Sequence, residues 1–341
     1  MEHVAIDLGG RESQICIRKG DGGIVSEERV ATAKLAQALE RPKSRVVMET
    51  CAEAFAVADV ALGLGHEVRV VPASLVRSLG VGARRTKTDR RDAQVLSDVS
   101  CRVDLPSVHV PSQWSREAKS LCGMRDVLVS TKTRLVNSVR GYLRQKLKRF
   151  PGGTAATLGA RVRKRYAEMG EAIPPHLDRQ LEAIAYLHAA AKAATLEVGA
   201  WAEENPVCIR LMTVPGVAQI TATRFVAAID RIDRFTSAHQ VESYLGLTPG
   251  EDSSSERRRI TSITKAGPSA VRWVLVQAAW AAMRTRPDDP MCQWALNIAR
   301  RRGGRIATIA LARKLAGILF ALWRDGTTYQ PRRGATIAEP Q

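Results

Sequence analysis

Short apolar runs separated by glycine-rich and polar turns mark the beginning of the chain. They predict strands over 3–8, 14–18, 24–30, 45–48 and 67–71, and helices over 33–39 and 54–64. The first three strands follow one another directly, which is typical of a β-meander, and the later strands alternate with helices. This order predicts an α/β sandwich at the N-terminal end.

A helical period replaces the strand pattern from about Pro111 onward. Apolar residues recur at three-, four- and seven-residue steps at Leu121, Met124, Leu128, Leu135, Val139 and Tyr142. This spacing predicts one long helix with arginine and lysine on its polar face. A second period begins at Leu177 and continues to Val198 close to heptad spacing, which favours a coiled-coil or helical arm.

The composition changes again after Asn205-Pro206. The segment 213–218, Thr-Val-Pro-Gly-Val-Ala, leads into a helical stretch over 220–229 and resembles a helix-hairpin-helix turn, whose backbone amides can hold a phosphate. A plain turn between packed helices explains it equally well. Further on, four tryptophans in apolar helical stretches are interpreted as core or interface anchors in preference to base-stacking platforms: Trp273, Trp280, Trp294 and Trp323.

Four acidic residues stand at the ends of predicted elements. Asp7 ends the run Val-Ala-Ile, Glu49 ends Val-Val-Met, and Asp89 and Asp92 lie three residues apart, on one face of a helix. Two carboxylates at a sheet rim joined by two from a helix can converge on a pair of Mg²⁺ ions about 4 Å apart. The pattern therefore predicts a metal site acting on phosphodiesters, with Mn²⁺ as the alternative ion.

The charge balance points to a polyanionic partner. The chain of 341 residues has 52 Lys and Arg against 34 Asp and Glu, a net charge of +18. We expect nucleic acid rather than a membrane, because no apolar stretch approaches the roughly 18 residues needed to span a bilayer. The first strand begins too early to leave room for a signal peptide, so we expect a cytoplasmic protein. The scattered cysteines favour reduced, mostly buried thiols.

Serines and arginines are adjacent near residue 254. The segment 250–255 is a polar serine loop, and three arginines follow it at Arg257, Arg258 and Arg259. A linker beside a solvated basic face is the ordinary explanation. Alternatively, a serine hydroxyl among guanidinium groups can attack a phosphodiester while the arginines stabilise the transition state. Backbone contact with nucleic acid is also predicted for Arg300, Arg301 and Arg302.

Seven motifs occur in the order found in one known family. They are Ala5-Ile6-Asp7, the strand end at Glu49, Val70-Val71-Pro72, Lys87-Thr88-Asp89 with Asp92-Ala93, Val214-Pro215-Gly216-Val217, Leu245-Gly246-Leu247-Thr248-Pro249, and Ile263-Thr264-Lys265-Ala266-Gly267 followed by Arg272. In these motifs the chain resembles the DEDD transposases of insertion sequence family 110, which are relatives of the Piv-type invertases.

The resemblance implies a RuvC-like (RNase H-like) α/β domain whose acids bind Mg²⁺, a helical or coiled-coil middle, and a mostly α C-terminal transposase domain. In the family a nucleophilic serine lies five residues after the proline of the Gly-Leu-x-Pro strand, which is Ser254 here. The glycine that usually follows is Ser255, so Ser253 and Ser255 remain alternatives. The expected boundaries are 1–150, 151–205 and 206–330, with a flexible tail over 331–341.

The implied reaction exchanges strands of double-stranded element and target DNA through a phosphoserine. Many members of the family use a structured RNA that pairs with both DNAs, so a guide RNA is an expected partner. The acids are expected to come from a partner protomer, and cutting four strands requires at least a dimer and favours a tetramer. Lys87, Lys265 and Arg272 are further candidates for nucleic-acid contact.

Other classes of protein remain as alternatives. A RuvC-like junction resolvase would use the same acids without a covalent intermediate, and the serine loop argues against it. A non-catalytic nucleic-acid-binding protein would explain the charge but would leave the four acids without a role. The segment Ile6-Asp7-Leu8-Gly9-Gly10 also resembles the first phosphate loop of sugar kinases. The chain lacks the second phosphate loop and the glycine-rich adenosine loop that this class needs.

Overall fold

The chain forms two compact units, Met1–Pro111 and Ser112–Gln341. The computed structural model describes residues 1–78, 89–148, 153–254 and 257–331, and gives only the backbone for 77, 78, 253, 254 and 257–260. Lys87 lies outside the described residues, as does most of the predicted tail over 331–341.

A five-stranded mixed sheet organises the first unit. Its strands are β1 (His3–Asp7), β2 (Glu12–Arg18), β3 (Ile24–Ala31), β4 (Arg45–Glu49) and β5 (Glu67–Val71). They lie in the order β3-β2-β1-β4-β5. The first three strands pair antiparallel, whereas β4 pairs parallel with both β1 and β5. The predicted meander followed by alternating strands and helices is therefore confirmed.

Helices cover both faces of this sheet. They are α1 (Leu35–Ala38), α2 (Ala54–Gly63), α3 (Ala73–Ser78) and α4 (Asp89–Arg102). Residues of even number on β1 and β4, such as Ile6 and Met48, pack in one cluster with α1 and α2. Their neighbours Ala5 and Val47 pack in a second cluster with Leu96 of α4. The alternation follows from the two-residue period of a strand and divides the core into two layers.

Over its described residues, the second unit is helical apart from one hairpin. Its helices are α5 (Gln113–Gln145), α6 (Ala155–Glu168), α7 (Pro175–Glu204), α8 (Pro206–Leu211), α9 (Gln219–Ile229), α10 (Ala238–Tyr244), α11 (Ser269–Thr285), α12 (Pro290–Arg302) and α13 (Gly304–Asp325). The hairpin consists of β6 (Pro249–Ser254) and β7 (Arg257–Ile263). Together with the sheet of the first unit, this confirms an α/β N-terminal part followed by a helical C-terminal part.

The long helices α5 and α7 correspond to the two helical periods of the sequence. They pack against each other, and α5 also packs against α9. At that contact Arg224 of α9, which is 7% exposed, donates to Asp126 of α5 at 2.5 Å. Because of this packing α5 belongs to the second unit, so the expected boundary at residue 150 differs from the division at 111.

Helix α6 lies within 151–205, which was expected to be helical, but its own period was not identified in the sequence. It packs on α7 through Leu158, Val162 and Tyr166, all buried. These residues recur every four positions, which is a helical period that the sequence does carry. The intervening Arg and Lys residues make the stretch strongly polar, and this obscured the apolar stripe.

Helix α13 corrects one expectation about apolar length. Among the described residues it is the single helix long and apolar enough, by length and composition, to cross a membrane. The prediction that no stretch approaches this length was therefore wrong. However, 44% of the apolar window is buried inside the protein. Leu311, Leu315 and Leu319 are fully buried in the main core of the second unit, so α13 is a core helix of that unit.

The cysteines are free, and most are buried. Cys16, Cys122, Cys208 and Cys292 are buried, Cys101 is intermediate, and Cys51 is exposed. The prediction of mostly buried thiols is confirmed.

This burial predicts a hierarchy of thiol reactivity. Burial raises the pKa of Cys208 to about 12, against an ordinary value of 9.0. At neutral pH this rise in the pKa lowers the fraction of Cys208 present as thiolate about a thousandfold. In a native Ellman assay we expect Cys51 to react first and Cys208 only on unfolding. Rapid labelling of Cys208 in the folded protein, mapped by peptide mass spectrometry, would contradict the packing of α8 on α9.

Candidate active site

The ends of β1 and β4 bring two of the predicted acids to the same rim of the sheet. The two strands are parallel, and Ile6 lies opposite Met48 in their register. Asp7 and Glu49 are the next residues on each strand, and both are half-buried. Neighbouring strands lie about 4.8 Å apart, so these two residues are adjacent at the end of the sheet.

Because side chains alternate between the two faces of the sheet along each strand, Asp7 and Glu49 lie on the same face. Ala5 and Val47 pack towards Leu96 of α4. Asp7 and Glu49 lie two positions further along, and side chains two apart in a strand share a face. The two carboxylates are therefore on the side of the sheet that α4 covers.

The direction of α4 brings its first turn towards the same rim. The Oγ of Ser100 is 2.8 Å from Nδ1 of His3, at the start of β1. Nearer the middle of the sheet, Ser97 donates to Sγ of Cys16, which pairs with Ala5. From Ser100 back to Asp92 the helix rises about 12 Å, and from His3 to Asp7 the strand advances about 13 Å. Asp92 is therefore level with the end of β1.

The two helical acids differ in burial. Asp92 is only 9% exposed, whereas Asp89, one turn earlier, is exposed. Both lie in the first turn of α4, where carboxylates also interact favourably with the positive end of the helix dipole. Asp89 is thus a surface carboxylate at a helix start, whereas Asp92 is buried on the face that it shares with Asp7 and Glu49.

A network of polar contacts fixes the first half of α4. Arg90 donates through Nε to Glu27 of β3 at 2.9 Å, and Gln94 donates to the same carboxylate. The hydrogen bond from Arg90 holds the pKa of Glu27 below its usual value. On β2, Arg18 donates to Oγ of Ser97 at 2.8 Å. These contacts orient the helix turn that carries Asp89 and Asp92.

The four carboxylates are of the ligand type that suits a hard divalent cation, although their side chains are not gathered closely enough to coordinate one. Within the described ranges, no group of three or more His, Cys, Asp or Glu side chains is close enough to hold a metal ion. All four predicted ligands are carboxylates, the ligand type that Mg²⁺ and Mn²⁺ prefer. The backbone brings Asp7, Glu49 and Asp92 to one end of one face, so the residues fit the ion by ligand type and by their shared end of the sheet.

The serine segment is a strand of the β6–β7 hairpin rather than a loop. In the antiparallel register Ser253 lies opposite Arg258, and Ser254 lies opposite Arg257. The described strands end at these two residues, with 255 and 256 connecting them outside the described residues. The backbone thus brings the serine run alongside the arginine run, at the end of the hairpin distant from the helical core.

The base of this hairpin is packed backbone against backbone. Gly246 (φ +67°) and Gly267 (φ +67°) each lie against the loop that contains the other. A Cβ added to Gly246 would lie 2.3 Å from the Ala266 carbonyl oxygen, and one added to Gly267 would lie 2.0 Å from the Tyr244 carbonyl oxygen. Only glycine combines this backbone conformation with so close an approach. The two glycine-containing motifs therefore form the foundation of the hairpin.

Replacing Gly267 by alanine is expected to loosen this foundation. The left-handed conformation costs about 1–2 kcal/mol with a Cβ, and the contact with Tyr244 adds a backbone clash. Gly326 (φ +69°) is the matched control, because no atom lies within 4 Å of its added Cβ. Urea unfolding should show a larger loss for Gly267→Ala than for Gly326→Ala. Equal losses would show that the close approach contributes nothing.

Arg272 also supports the hairpin base. Its Nη1 donates to the carbonyl oxygens of Leu245 at 2.9 Å and Ala266 at 2.8 Å. The guanidinium thereby joins the two glycine-containing loops. This contact gives Arg272 a structural role in addition to the predicted contact with nucleic acid.

Four of the remaining predicted basic residues are on the surface. Lys265 is exposed with φ +57°. Arg300, Arg301 and Arg302 are exposed in the last turn of α12, where cations also complement the helix dipole. Arg257, Arg258 and Arg259 are located by their backbone on β7.

Two family models match separate parts of the chain. The DEDD transposase model of the IS110 type, described as "Transposase", matches residues 4–147. The model described as "Transposase IS116/IS110/IS902 family" matches residues 208–293. The first match covers all four acids, and the second covers the β6–β7 hairpin with both loops at its base.

Curated relatives match over nearly the full length. The chain is 26% identical to the "Transposase for insertion sequence element IS1111A" of Coxiella burnetii, over 96% of this chain and 91% of that protein. It is 26% identical to the "Transposase for insertion sequence element IS1328" of Yersinia enterocolitica, over 96% and 98% of the two chains. A "Probable family 20 transposase" of Pseudomonas aeruginosa is 27% identical over 85% and 87%.

The matched regions coincide with the two structural features described above, the acidic rim of the sheet and the serine hairpin. Both family models and the three bacterial relatives therefore lead to one conclusion: the chain belongs to the IS110 family of transposases, enzymes that act on DNA by strand transfer.

Proposed function

We propose that this transposase is a site-specific recombinase with a RuvC-like first unit, and that it exchanges DNA strands through a phosphoserine on Ser254. The observation that carries the proposal is the convergence of β1, β4 and the first turn of α4. It gathers Asp7, Glu49 and Asp92 at one end of one sheet face in a chain of net charge +18. Family membership makes DNA the substrate.

The carboxylates of Asp7, Glu49, Asp89 and Asp92 would hold Mg²⁺, with Mn²⁺ as the alternative. When bound, such an ion neutralises charge on the phosphate and stabilises the oxygens entering and leaving phosphorus. Four carboxylates close together repel one another, so the side chains are expected to close only with the cation present. The contacts of Arg90 and Gln94 to Glu27 would keep α4 in place during this closure.

The covalent step is carried by the serine. The Ser254 hydroxyl oxygen attacks the phosphorus of a DNA phosphodiester and loses its proton. A serine–phosphorus bond forms, the bond to one deoxyribose oxygen breaks, and that oxygen leaves as a hydroxyl. The hydroxyl of another strand then attacks the phosphoserine, which restores the serine and joins the new strands. The number of phosphodiester bonds is conserved, so no energy-rich cofactor is needed.

The basic strand supplies the electrostatic part of the reaction. Arg257 lies opposite Ser254 in the hairpin register, and Arg258 and Arg259 follow it. Guanidinium groups bind phosphate oxygens in bidentate pairs and stabilise the charge that develops during attack. The arrangement resembles an activated nucleophile beside its anion-binding groups.

The choice of DNA sequence is proposed to come from a structured guide RNA. The protein has a large excess of positive charge, which binds phosphate backbones without reading bases. Base pairing between RNA and DNA would then provide sequence specificity. Since four strands must be cut and exchanged, the active assembly is proposed to be a homodimer that pairs into a tetramer.

One incubation tests the proposal as a whole. Purified protein is mixed with DNA carrying the element ends, element-derived RNA and Mg²⁺, then quenched in denaturant and analysed for protein–DNA adducts by peptide mass spectrometry. An adduct on Ser254 is expected. Nicked DNA without any adduct would instead support the metal-dependent resolvase. The non-catalytic alternative does not account for membership of a transposase family.

Omitting single components identifies their roles. Leaving out the RNA should abolish the adduct if the RNA guides the reaction, and an unchanged yield would remove RNA from the proposal. Chelating the metal with EDTA should abolish adduct and product alike. Adding back Mg²⁺ or Mn²⁺ should restore both.

A further inference from the structure

Helix α11 exposes two large aromatic side chains on one face. Trp273 is 60% exposed and Trp280 is 57% exposed. They are seven residues apart, which is two helical turns and about 10.5 Å along the axis. Gln277 between them and Arg284 one turn further on are also exposed. These four residues, Trp273, Gln277, Trp280 and Arg284, define the tryptophan face.

This exposure excludes the core from the expectation that these tryptophans are core or interface anchors. The apolar residues that anchor α11 are Val271, Leu275 and Ala279, which are buried in the main core of the second unit. Packing on α9 and α13 therefore uses the opposite side of the helix. The rings of Trp273 and Trp280 contribute little to the core and are available to a ligand.

A shallow cavity adjoins the tryptophan face. Its volume is about 310 Å³, and its lining includes Gly216, Thr221, Gln277, Trp280 and Arg284. Gly216 belongs to the turn that resembles a helix-hairpin-helix element. An added Cβ there would lie 2.2 Å from the Ala278 carbonyl oxygen, so the turn packs directly against α11. The turn thus forms one wall of the cavity, and Trp280 with Arg284 forms the other.

The electrostatics of these elements favour an anion. Neither α9 nor α11 contains an acidic residue, whereas α11 contains Arg272 and Arg284. Arg272 donates to backbone carbonyls at the hairpin base. Arg284 is exposed beside Trp280 in the cavity lining. A flat aromatic surface next to a guanidinium is the combination that binds bases and backbone of an unpaired nucleic-acid strand.

We propose that the tryptophan face binds single-stranded DNA, with bases stacked on Trp273 and Trp280 and a phosphate beside Arg284. The inference rests on the proposed function, because strand exchange exposes unpaired DNA that must be held. DNA is chosen over RNA because family membership establishes DNA as the substrate. An unpaired strand is chosen over a duplex because a duplex buries the base faces that tryptophan stacks on.

A second copy of the chain fits this surface less well. A symmetric contact places the same patch of both protomers together. Arg284 of each protomer would then lie in the interface, where α9 and α11 offer no carboxylate to pair with it. A charge left unpaired in an interface is unfavourable.

The test is binding of a fluorescent oligo(dT) to the full-length protein in EDTA, where the cleavage reaction is silent. Stacking on an aromatic side chain is worth about 1–3 kcal/mol per base, so Trp280→Ala and Trp273→Ala are each expected to weaken binding about 5- to 150-fold. Trp280→Phe retains an aromatic face and should recover most of the affinity, whereas Trp280→Leu should not. Arg284→Ala should reduce the slope of log affinity against log salt by about 0.7.

Trp294→Ala is the matched control. Trp294 is 37% exposed on α12, with Nζ of Lys314 lying 4.3 Å from its ring centroid. This variant should bind oligo(dT) within about twofold of the parent protein, because surface changes away from a contact have small effects. Circular dichroism should show unchanged helix content for every variant.

Each outcome has one meaning. Unchanged oligo(dT) affinity in Trp273→Ala and Trp280→Ala would overturn the inference. A change in sedimentation of Trp280→Ala with unaltered DNA affinity would overturn it in favour of a protomer contact. Equal or tighter binding of duplex DNA or oligo(U), lost in the same variants, would overturn the assignment to single-stranded DNA. A missing Ser254 adduct would instead refute the phosphoserine, and this readout does not depend on oligo(dT) binding.

Discussion

Replacing Ser254 by alanine should abolish both the covalent protein–DNA adduct and strand exchange, lowering the rate by at least about 10⁴-fold. The substitution removes the oxygen that forms the bond to phosphorus and leaves the backbone of β6 intact. Binding of element DNA should remain within about threefold of the parent protein, because the basic residues that contact phosphates are retained. Adduct yield on a denaturing gel and exchange on a DNA substrate measure the two effects.

The neighbouring serines provide the matched controls. Ser253→Ala and Ser255→Ala remove the same atom at adjacent positions and should retain the adduct. Because Ser255 stands where the family usually has glycine, one of these variants losing the adduct while Ser254→Ala keeps it would transfer the nucleophile to that residue. If all three single variants exchanged strands at the parental rate, serine catalysis itself would be refuted.

Replacing Asp7 by asparagine is expected to have an effect of similar size for a different reason. The amide is almost the same shape as the carboxylate but has no charge, so it weakens metal binding at the end of β1. Loss of the charge stabilisation that a metal supplies, several kcal/mol, corresponds to about 10³-fold or more in rate. DNA binding and the melting temperature should change little, since Asp7 is half-buried at the strand end rather than in the core.

Asp98→Asn is the control for this prediction. Asp98 lies on α4 beyond the first turn and pairs with Arg102 at 2.9 Å, away from the end where Asp92 is located. It should keep near-parental activity, whereas Glu49→Gln and Asp92→Asn should behave like Asp7→Asn. Raising the Mg²⁺ concentration should partly restore a variant with weakened metal affinity. Full turnover by Asp7→Asn at low Mg²⁺ would show that the carboxylate is not a metal ligand.

The positions of the acids illustrate how far local patterns reach. Apolar runs located the ends of β1 and β4, and therefore Asp7 and Glu49, because a buried strand has a recognisable composition. The sequence could not show that the two ends are adjacent. That depends on the parallel pairing of β1 and β4, which places Ile6 opposite Met48 although the two residues are far apart in sequence. The burial of Asp92 likewise depends on the packing of α4 against β1 and β2.

Arg272 and the tryptophans show which contacts a local pattern leaves undetermined. Arg272 follows a glycine-containing motif and is predicted to contact nucleic acid; the structure adds that its guanidinium donates to two carbonyl oxygens of the loops at the hairpin base. One of these carbonyls belongs to Leu245, in a different loop. Trp273 and Trp280 were predicted to be core or interface anchors because their helix is apolar. Their exposure excludes the core, since small and branched residues supply the buried side of the helix.

The sequence by itself determined the alternation of strands and helices in the first unit, the long helices α5 and α7, the excess of positive charge and the four acids at element ends. These follow from periods of two and 3.6 residues and from composition, which are local properties of the chain. The tertiary structure alone decided which acids share a face, that α5 packs with the second unit, and that the tryptophan face is exposed. Such outcomes depend on contacts between residues far apart in sequence, because burial is a property of the packed surfaces and not of any one segment.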